Sequence, residues 1–102
     1  MNEFKNKGVK INLDKERNLI YDMNALSEIE DRYETIDNAF KNLSKGSIKA
    51  TRFLLWCGLI SEDETLTERQ VGAMITIGEL EGVATKLAEA MAISTPKSEG
   101  KK

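Results

Sequence analysis

The stretch of this sequence that decides its fold is Ser47-Ile-Lys-Ala-Thr-Arg-Phe-Leu-Leu-Trp-Cys-Gly-Leu-Ile60. Residues 53–60 carry no charge and no hydroxyl group, and they include the only Trp and the only Cys of the chain. Over so short a run, periodicity does not separate a buried strand from a buried helix. The flanks do, because Gly46 is typical of a helix end and Ser47 of a helix N-cap. We therefore predict a helix that is apolar on nearly every side and is enclosed by the other elements.

The length of the chain indicates one small domain, and its charge bears on which partners it binds. A chain of 102 residues can bury roughly 60 to 70% of its unfolded surface without disulfides or metal. Its 15 basic and 17 acidic residues leave a net charge of −2, which supplies no field to attract nucleic acid or anionic lipid. No apolar run approaches the roughly 20 residues of a membrane span, and the polar N-terminus lacks the apolar segment of a signal peptide. We predict a cytoplasmic protein that binds neither nucleic acid nor membrane.

The residue types on which most enzymes depend are missing or badly placed. The chain has no His, which removes the commonest general base and metal ligand and excludes the usual serine and cysteine triads. Cys57 could act as a nucleophile, but its place among Leu54, Leu55 and Trp56 favours a buried structural role. The acidic cluster at residues 62–64 lacks the spacing and the central Gly of a calcium loop. We predict a protein that is not an enzyme and uses no cofactor and no metal.

The N-terminal segment alternates apolar and polar residues, with Val9, Ile11 and Leu13 on one side. This period of two predicts a strand, and residues 18–21 predict a second strand that completes a hairpin. An isolated hairpin is only marginally stable, so it should lie against the helices. We predict a flexible N-terminus at residues 1–7, a single α+β domain at residues 8–94 and a disordered C-terminal tail at residues 95–102.

Four further helices follow from capping residues and apolar spacing. Gly82 lies inside the last of them and suggests a close helix contact there. The predicted fold is α+β, mainly α-helical, with an N-terminal β-hairpin packed against a bundle of about five short helices. The first of the four helices is predicted at residues 22–33, with Asp22 or Asn24 as cap, and the second at residues 35–45, with Thr35 as cap. The third begins at the capping box of Thr67 and Gln70, runs through Val71, Met74 and Ile75, and ends near Gly78. The fourth is predicted at residues 79–93.

The last two predicted helices, over residues 67–92, have the order of a helix-turn-helix. The second would have to enter the DNA groove, although it carries Glu79, Glu81 and Glu89 against a single Lys86. Repulsion from the phosphates argues against DNA binding.

Three segments in this order resemble one protein family. They are Tyr21-Asp-Met-Asn-Ala-Leu-Ser-Glu-Ile-Glu30, the apolar residues 53–60, and Leu66-Thr-Glu-Arg-Gln-Val-Gly72. With the N-terminal hairpin, they are similar to the small tail assembly chaperones of long-tailed bacteriophages, prophages and gene transfer agents. The resemblance spans about residues 8–93, and it consists of an order of apolar and capping segments instead of a catalytic signature.

The resemblance implies a non-enzymatic holdase of phage morphogenesis. Members of the family bind the tape measure protein, a long, helical and aggregation-prone chain, until the tail tube polymerises around it. A member would act in the bacterial host cytoplasm and be absent from the finished particle. The tail tube protein is a second candidate partner, and self-association along the client stays open.

The resemblance brings no site residues with it, so the client-binding surface has to come from the apolar residues. We expect exposed faces of the last two helices, near Met74, Ile77 and Met91, to contact the client. The alternative for each is a place in the core, where such residues are found more often.

Two other functions stay open on the sequence. A structural virion component, such as a head-tail connector or a tail tube accessory, would remain in mature particles. A small transcriptional regulator would bind DNA in a salt-dependent manner. Mass spectrometry of purified virions and a DNA-binding assay separate these functions from a chaperone.

Overall fold

The structure is a computed structural model that describes residues 8–94. The predicted flexible N-terminus at residues 1–7 and the predicted tail at residues 95–102 lie outside the described residues. Within them, an antiparallel hairpin precedes five α-helices, which confirms the predicted α+β, mainly helical fold. The elements are β1 (Val9–Asn12), β2 (Glu16–Leu19), α1 (Met23–Tyr33), α2 (Ile36–Ser44), α3 (Ile48–Leu59), α4 (Glu68–Gly72), a 3-10 turn (Ile77–Glu79) and α5 (Leu80–Ser94).

Helix α3 is the element that the others surround, as the sequence predicts. It contacts β2 and the four other helices. Its N-cap is Ser47, whose Oγ accepts a 3.0 Å hydrogen bond from the Ala50 N–H. Trp56 is only partly buried, and its indole N–H donates a 2.9 Å hydrogen bond to the Leu66 carbonyl, so the ring ties α3 to the segment before α4. The buried residues of α3 are Ala50, Thr51, Phe53, Leu54, Leu55, Cys57, Gly58 and Leu59.

The hairpin packs on the helices through both strands, β1 against α5 and β2 against α3. Strand β2 begins and ends earlier than the predicted residues 18–21. The difference arises because the chain leaves the hairpin at Ile20, whose N–H donates a 2.9 Å hydrogen bond to the Gly58 carbonyl of α3. Tyr21 follows and donates its hydroxyl to the Leu54 carbonyl at 2.5 Å. Residues that have strand character in the sequence therefore serve to dock the hairpin on α3.

Two helical glycines differ in what surrounds them. A Cβ at Gly58 would lie 2.9 Å from Leu19 Cδ2 and 2.9 Å from the Tyr21 ring, so only glycine allows β2 to approach α3 this closely. A Cβ at Gly82 would meet nothing within 4 Å. The predicted close contact at Gly82 is therefore wrong, and Gly58 is the glycine that a neighbouring element approaches.

The capping residues predicted from the sequence are observed for α1, α2 and α4. The Asp22 and Thr35 side chains accept hydrogen bonds from the first turns of α1 and α2, each at 3.0 Å. Thr67 and Gln70 form the predicted capping box at the start of α4. However, α4 ends at Gly72 instead of continuing to near Gly78.

The early end of α4 has a cause in the sequence. Thr76-Ile-Gly-Glu79 has the sequence of a second capping box, and the Glu79 half of it is formed: the Thr76 N–H donates a 2.8 Å hydrogen bond to Glu79 Oε1. A residue in this capping role has extended backbone angles, and Thr76 does (φ −110°, ψ 169°). The chain therefore starts a new turn at Thr76, and Met74 and Ile75 lie in a link between α4 and that turn.

Candidate functional site

A groove opens where four segments meet: the first turns of α3, the end of α4, the link that follows α4 and the start of α5. Its volume is about 340 Å³, and its exposed wall is mainly apolar. We call it the Ile77 groove. The residues that line it are Ile48, Arg52, Arg69, Gly72, Ile75, Thr76, Ile77 and Leu80.

Two isoleucines of the Ile77 groove have most of their side chains in water. Ile77 is 72% exposed and Ile48 is 59% exposed. Each is the first residue of a helical turn, directly after the capping residues Thr76 and Ser47. Because helical side chains lean toward the N-terminus, a first-turn residue has no preceding turn to cover it. Exposed apolar side chains that border a common groove mark a contact surface more often than isolated ones do.

Two arginines supply the charge of the Ile77 groove, and no acidic residue is among its described lining. The stem of Arg52 packs over Gly72, where a Cβ would lie only 2.9 Å from Arg52 Cδ. Glycine at this position therefore lets the Arg52 side chain lie across the end of α4. Arg69, the second arginine, lies in α4, the short helix that ends at Gly72.

The arginines of the Ile77 groove lack the partners that other arginines have. Within residues 8–94, no carboxylate oxygen lies within 4.0 Å of the Arg52 or Arg69 side-chain nitrogens. Arg17, by contrast, pairs with Asp14 at 2.7 Å, and this guanidinium holds the pKa of the Asp14 carboxyl at about 2. Arg32 pairs with Glu68 at 3.2 Å and lies 3.9 Å over the Phe53 ring. The uncompensated guanidinium groups at the groove are available to an anionic partner.

The structure does not bring the three predicted client-binding residues to one surface. Ile77 is strongly exposed in the Ile77 groove. Met74 is half-buried and packs against the core, and it is not part of the groove lining. Met91 is fully buried, so the core alternative applies to its side chain.

Sequence reasoning missed the other main residues of the groove, Ile48, Arg52 and Arg69. Ile48 offers one signal, since it directly follows the Ser47 cap and so belongs to the first turn, where coverage is poor. No sequence signal predicts that Arg52 and Arg69 border the same groove, because their proximity to each other depends on how α4 packs on α3.

The Cys57 thiol is buried in α3, and that burial raises its pKa, with smaller contributions from the negative charges of Glu28 and Glu68. A thiol in this state is a poor nucleophile at neutral pH. In the acidic cluster at residues 62–64, the Asp63 carboxylate is used within its own loop, where Oδ1 accepts hydrogen bonds from Thr65 at 2.6 and 3.2 Å.

No group of three or more metal-ligating side chains is found in the part of the chain that the structure describes. In the same part, none of the helices is both long enough and apolar enough to cross a bilayer.

The chain was also compared with known proteins. A scan of protein-family models matched none of them to this chain, and searches of curated proteins and of solved structures likewise found no match. The Ile77 groove is therefore the structural observation that bears on function, and the resemblance to tail assembly chaperones stays a prediction from the sequence.

Proposed function

We propose that this chain is a tail assembly chaperone, a non-enzymatic holdase that binds a helical segment of the tape measure protein in the Ile77 groove. The observation that carries the proposal is the pair of exposed isoleucines, Ile48 and Ile77, at the edge of one apolar groove on a well-packed core. A helical client with an apolar stripe fits such a surface by laying that stripe into the groove. The family resemblance supplies the identity of the client.

The size of the groove suits a reversible interaction. Removing the exposed parts of two isoleucines from water contributes roughly 2 to 4 kcal/mol, and the client's own apolar residues contribute a similar amount. Association also costs several kcal/mol in lost freedom of motion. The net affinity for one helical segment is therefore modest, which suits a holdase that has to release its client when the tube polymerises.

Co-expression with the tape measure protein tests the proposal. The wild-type chain should keep the tape measure protein in the soluble fraction, and the Ile77→Glu variant should not, because a charge at this position opposes burial of an apolar stripe. Ile77 is 72% exposed, so its replacement should change the free energy of unfolding by no more than about 0.5 kcal/mol.

Met23→Glu is the matched control. Met23 is 78% exposed on α1 and does not line the Ile77 groove, so this variant should protect the client as the wild type does. A client that is equally insoluble with and without this chain would refute the proposal. If the protein is retained in purified virions, a structural virion component is the better assignment.

A further inference from the structure

The charge of the Ile77 groove differs from that of the chain as a whole. The chain has a net charge of −2, yet the groove is lined by two arginines and, among the described residues, by no carboxylate. Neither guanidinium has an ionic partner within residues 8–94. Guanidinium groups are planar hydrogen-bond donors that fit carboxylates, and such charge-assisted hydrogen bonds are stronger than neutral ones.

We infer that the Ile77 groove is specific for an acidic amphipathic helix, whose apolar stripe packs on Ile48 and Ile77 while carboxylates beside the stripe pair with Arg52 and Arg69. This inference rests on the proposed function, because it takes a helical client as its premise. The apolar wall of the groove favours the stripe, and the two exposed, unpaired positive charges favour acidic neighbours. A basic or neutral helix would leave both arginines without a partner next to an apolar surface.

The apolar contacts and the ion pairs contribute differently to binding. Apolar burial at Ile48 and Ile77 supplies most of the affinity and accepts many sequences. The arginines select among those sequences, because electrostatic complementarity mainly fixes specificity and register. Gly72 leaves room for the Arg52 stem over the end of α4, because a Cβ at this position would lie only 2.9 Å from Arg52 Cδ.

Three labelled helical peptides test the inference by fluorescence anisotropy. Each is about five helical turns long, each carries the same leucine stripe, and they differ only in the residues that flank it, which are Glu, Gln or Lys. We expect the Glu peptide to bind wild type roughly threefold to thirtyfold more tightly than the Gln peptide, as two partly exposed ion pairs allow. The Lys peptide should bind most weakly. The preference should largely disappear at about 1 M salt, where the screening length is about 3 Å.

Reversing the groove charge should reverse the preference. The Arg52→Glu/Arg69→Glu double variant should bind the Lys peptide more tightly than the Glu peptide. The Lys49→Glu/Lys86→Glu double variant changes the net charge equally at two exposed positions outside the groove lining. It should therefore keep the wild-type order, with Glu tightest and Lys weakest.

Four results would overturn the inference. The first is equal binding of the Glu and Gln peptides, and the second is no binding of the Glu peptide. The third is the same change of preference in both double variants, which would show a general charge effect. The fourth is a wild-type dimer that Ile77→Glu converts to a monomer by light scattering, since a second copy would then occupy the groove. Co-expression with the tape measure protein uses none of these peptides, so it tests the proposed function separately.

Discussion

Gly58 is the residue on which the contact between the hairpin and α3 depends. Its missing Cβ leaves room for Leu19 and Tyr21, and its carbonyl accepts the Ile20 N–H at 2.9 Å. We expect Gly58→Ala to lower the free energy of unfolding by about 1 to 3 kcal/mol, because a methyl group 2.9 Å from both side chains overpacks the interface. Urea unfolding followed by circular dichroism measures this change.

Gly82→Ala is the control for Gly58→Ala. It makes the same substitution inside α5, where the new methyl group would meet nothing within 4 Å. We expect a gain of about 0.5 to 1 kcal/mol in the free energy of unfolding, because Ala has the higher helix propensity. If the two substitutions change the free energy in the same direction, steric approach is not what requires glycine at position 58.

These two glycines also mark the limit of prediction at the scale of single residues. Both lie inside helical segments, and the local sequence does not say which one a neighbour approaches. The suggested close contact at Gly82 was wrong, and the contact at Gly58 was missed because the approach of β2 to α3 is long-range. By contrast, Thr35 and Ser47 were predicted correctly as caps, and Asp22 was one of the two candidates for α1, since a cap acts on the backbone of its own first turn.

At the scale of elements, α4 is short and depends on its capping box. Thr67 Oγ1 accepts the Gln70 N–H at 3.1 Å, and Gln70 Oε1 accepts the Thr67 N–H at 2.8 Å. We expect Thr67→Ala to cost about 1 kcal/mol of stability. It should also weaken binding of the Glu-flanked peptide, because α4 carries Arg69 and Gly72 at the Ile77 groove. Urea unfolding and anisotropy measure the two effects.

Thr67→Ser should restore both the stability and the peptide binding, because it keeps the hydroxyl that accepts the Gln70 N–H. An unchanged peptide affinity in Thr67→Ala would show that the order of α4 does not influence the groove.

The order of elements could be predicted well, and one boundary could have been predicted better. Apolar spacing located α1, α2 and α5, because each buries a stripe of its own residues, and the flanking Gly46 and Ser47 identified α3 as a helix. The end of α4 was missed because apolar spacing continues through Met74 and Ile75. The capping-box pattern of Thr76 and Glu79 was the better signal, since it starts a new turn whatever the apolar spacing predicts.

At the scale of the whole molecule, the Ile77 groove was the feature that sequence reasoning could not locate. Ile77 was among the expected contact residues, but Ile48 and Arg52 come from α3 and meet it only after the chain has folded around that helix. The central position of α3, by contrast, could be predicted, since a helix that is apolar on nearly every side has to be enclosed.

Two buried acidic groups at the centre of the molecule make its stability sensitive to alkali. Burial raises the pKa of the Tyr21 phenol well above its usual value of 10.0, and burial also raises the pKa of the Cys57 thiol from 9.0. Well below pH 9 both groups are protonated in the folded and unfolded chains, so they add no pH dependence there. At higher pH the unfolded chain loses these protons first, and folding is disfavoured.

We therefore expect the free energy of unfolding to fall above about pH 9, by roughly 1.4 kcal/mol per pH unit for each group that has passed its unfolded pKa. Urea unfolding across the alkaline range measures the slope. The Tyr21→Phe/Cys57→Ala double variant should start from a lower stability at neutral pH, because Tyr21 loses its hydrogen bond to the Leu54 carbonyl. Its stability should nevertheless decline less steeply than that of the wild type, since neither new side chain titrates and Tyr33, whose pKa burial also raises, is left to contribute. An equally steep decline in the double variant would place the alkaline sensitivity in other groups and contradict the assignment to the core around α3.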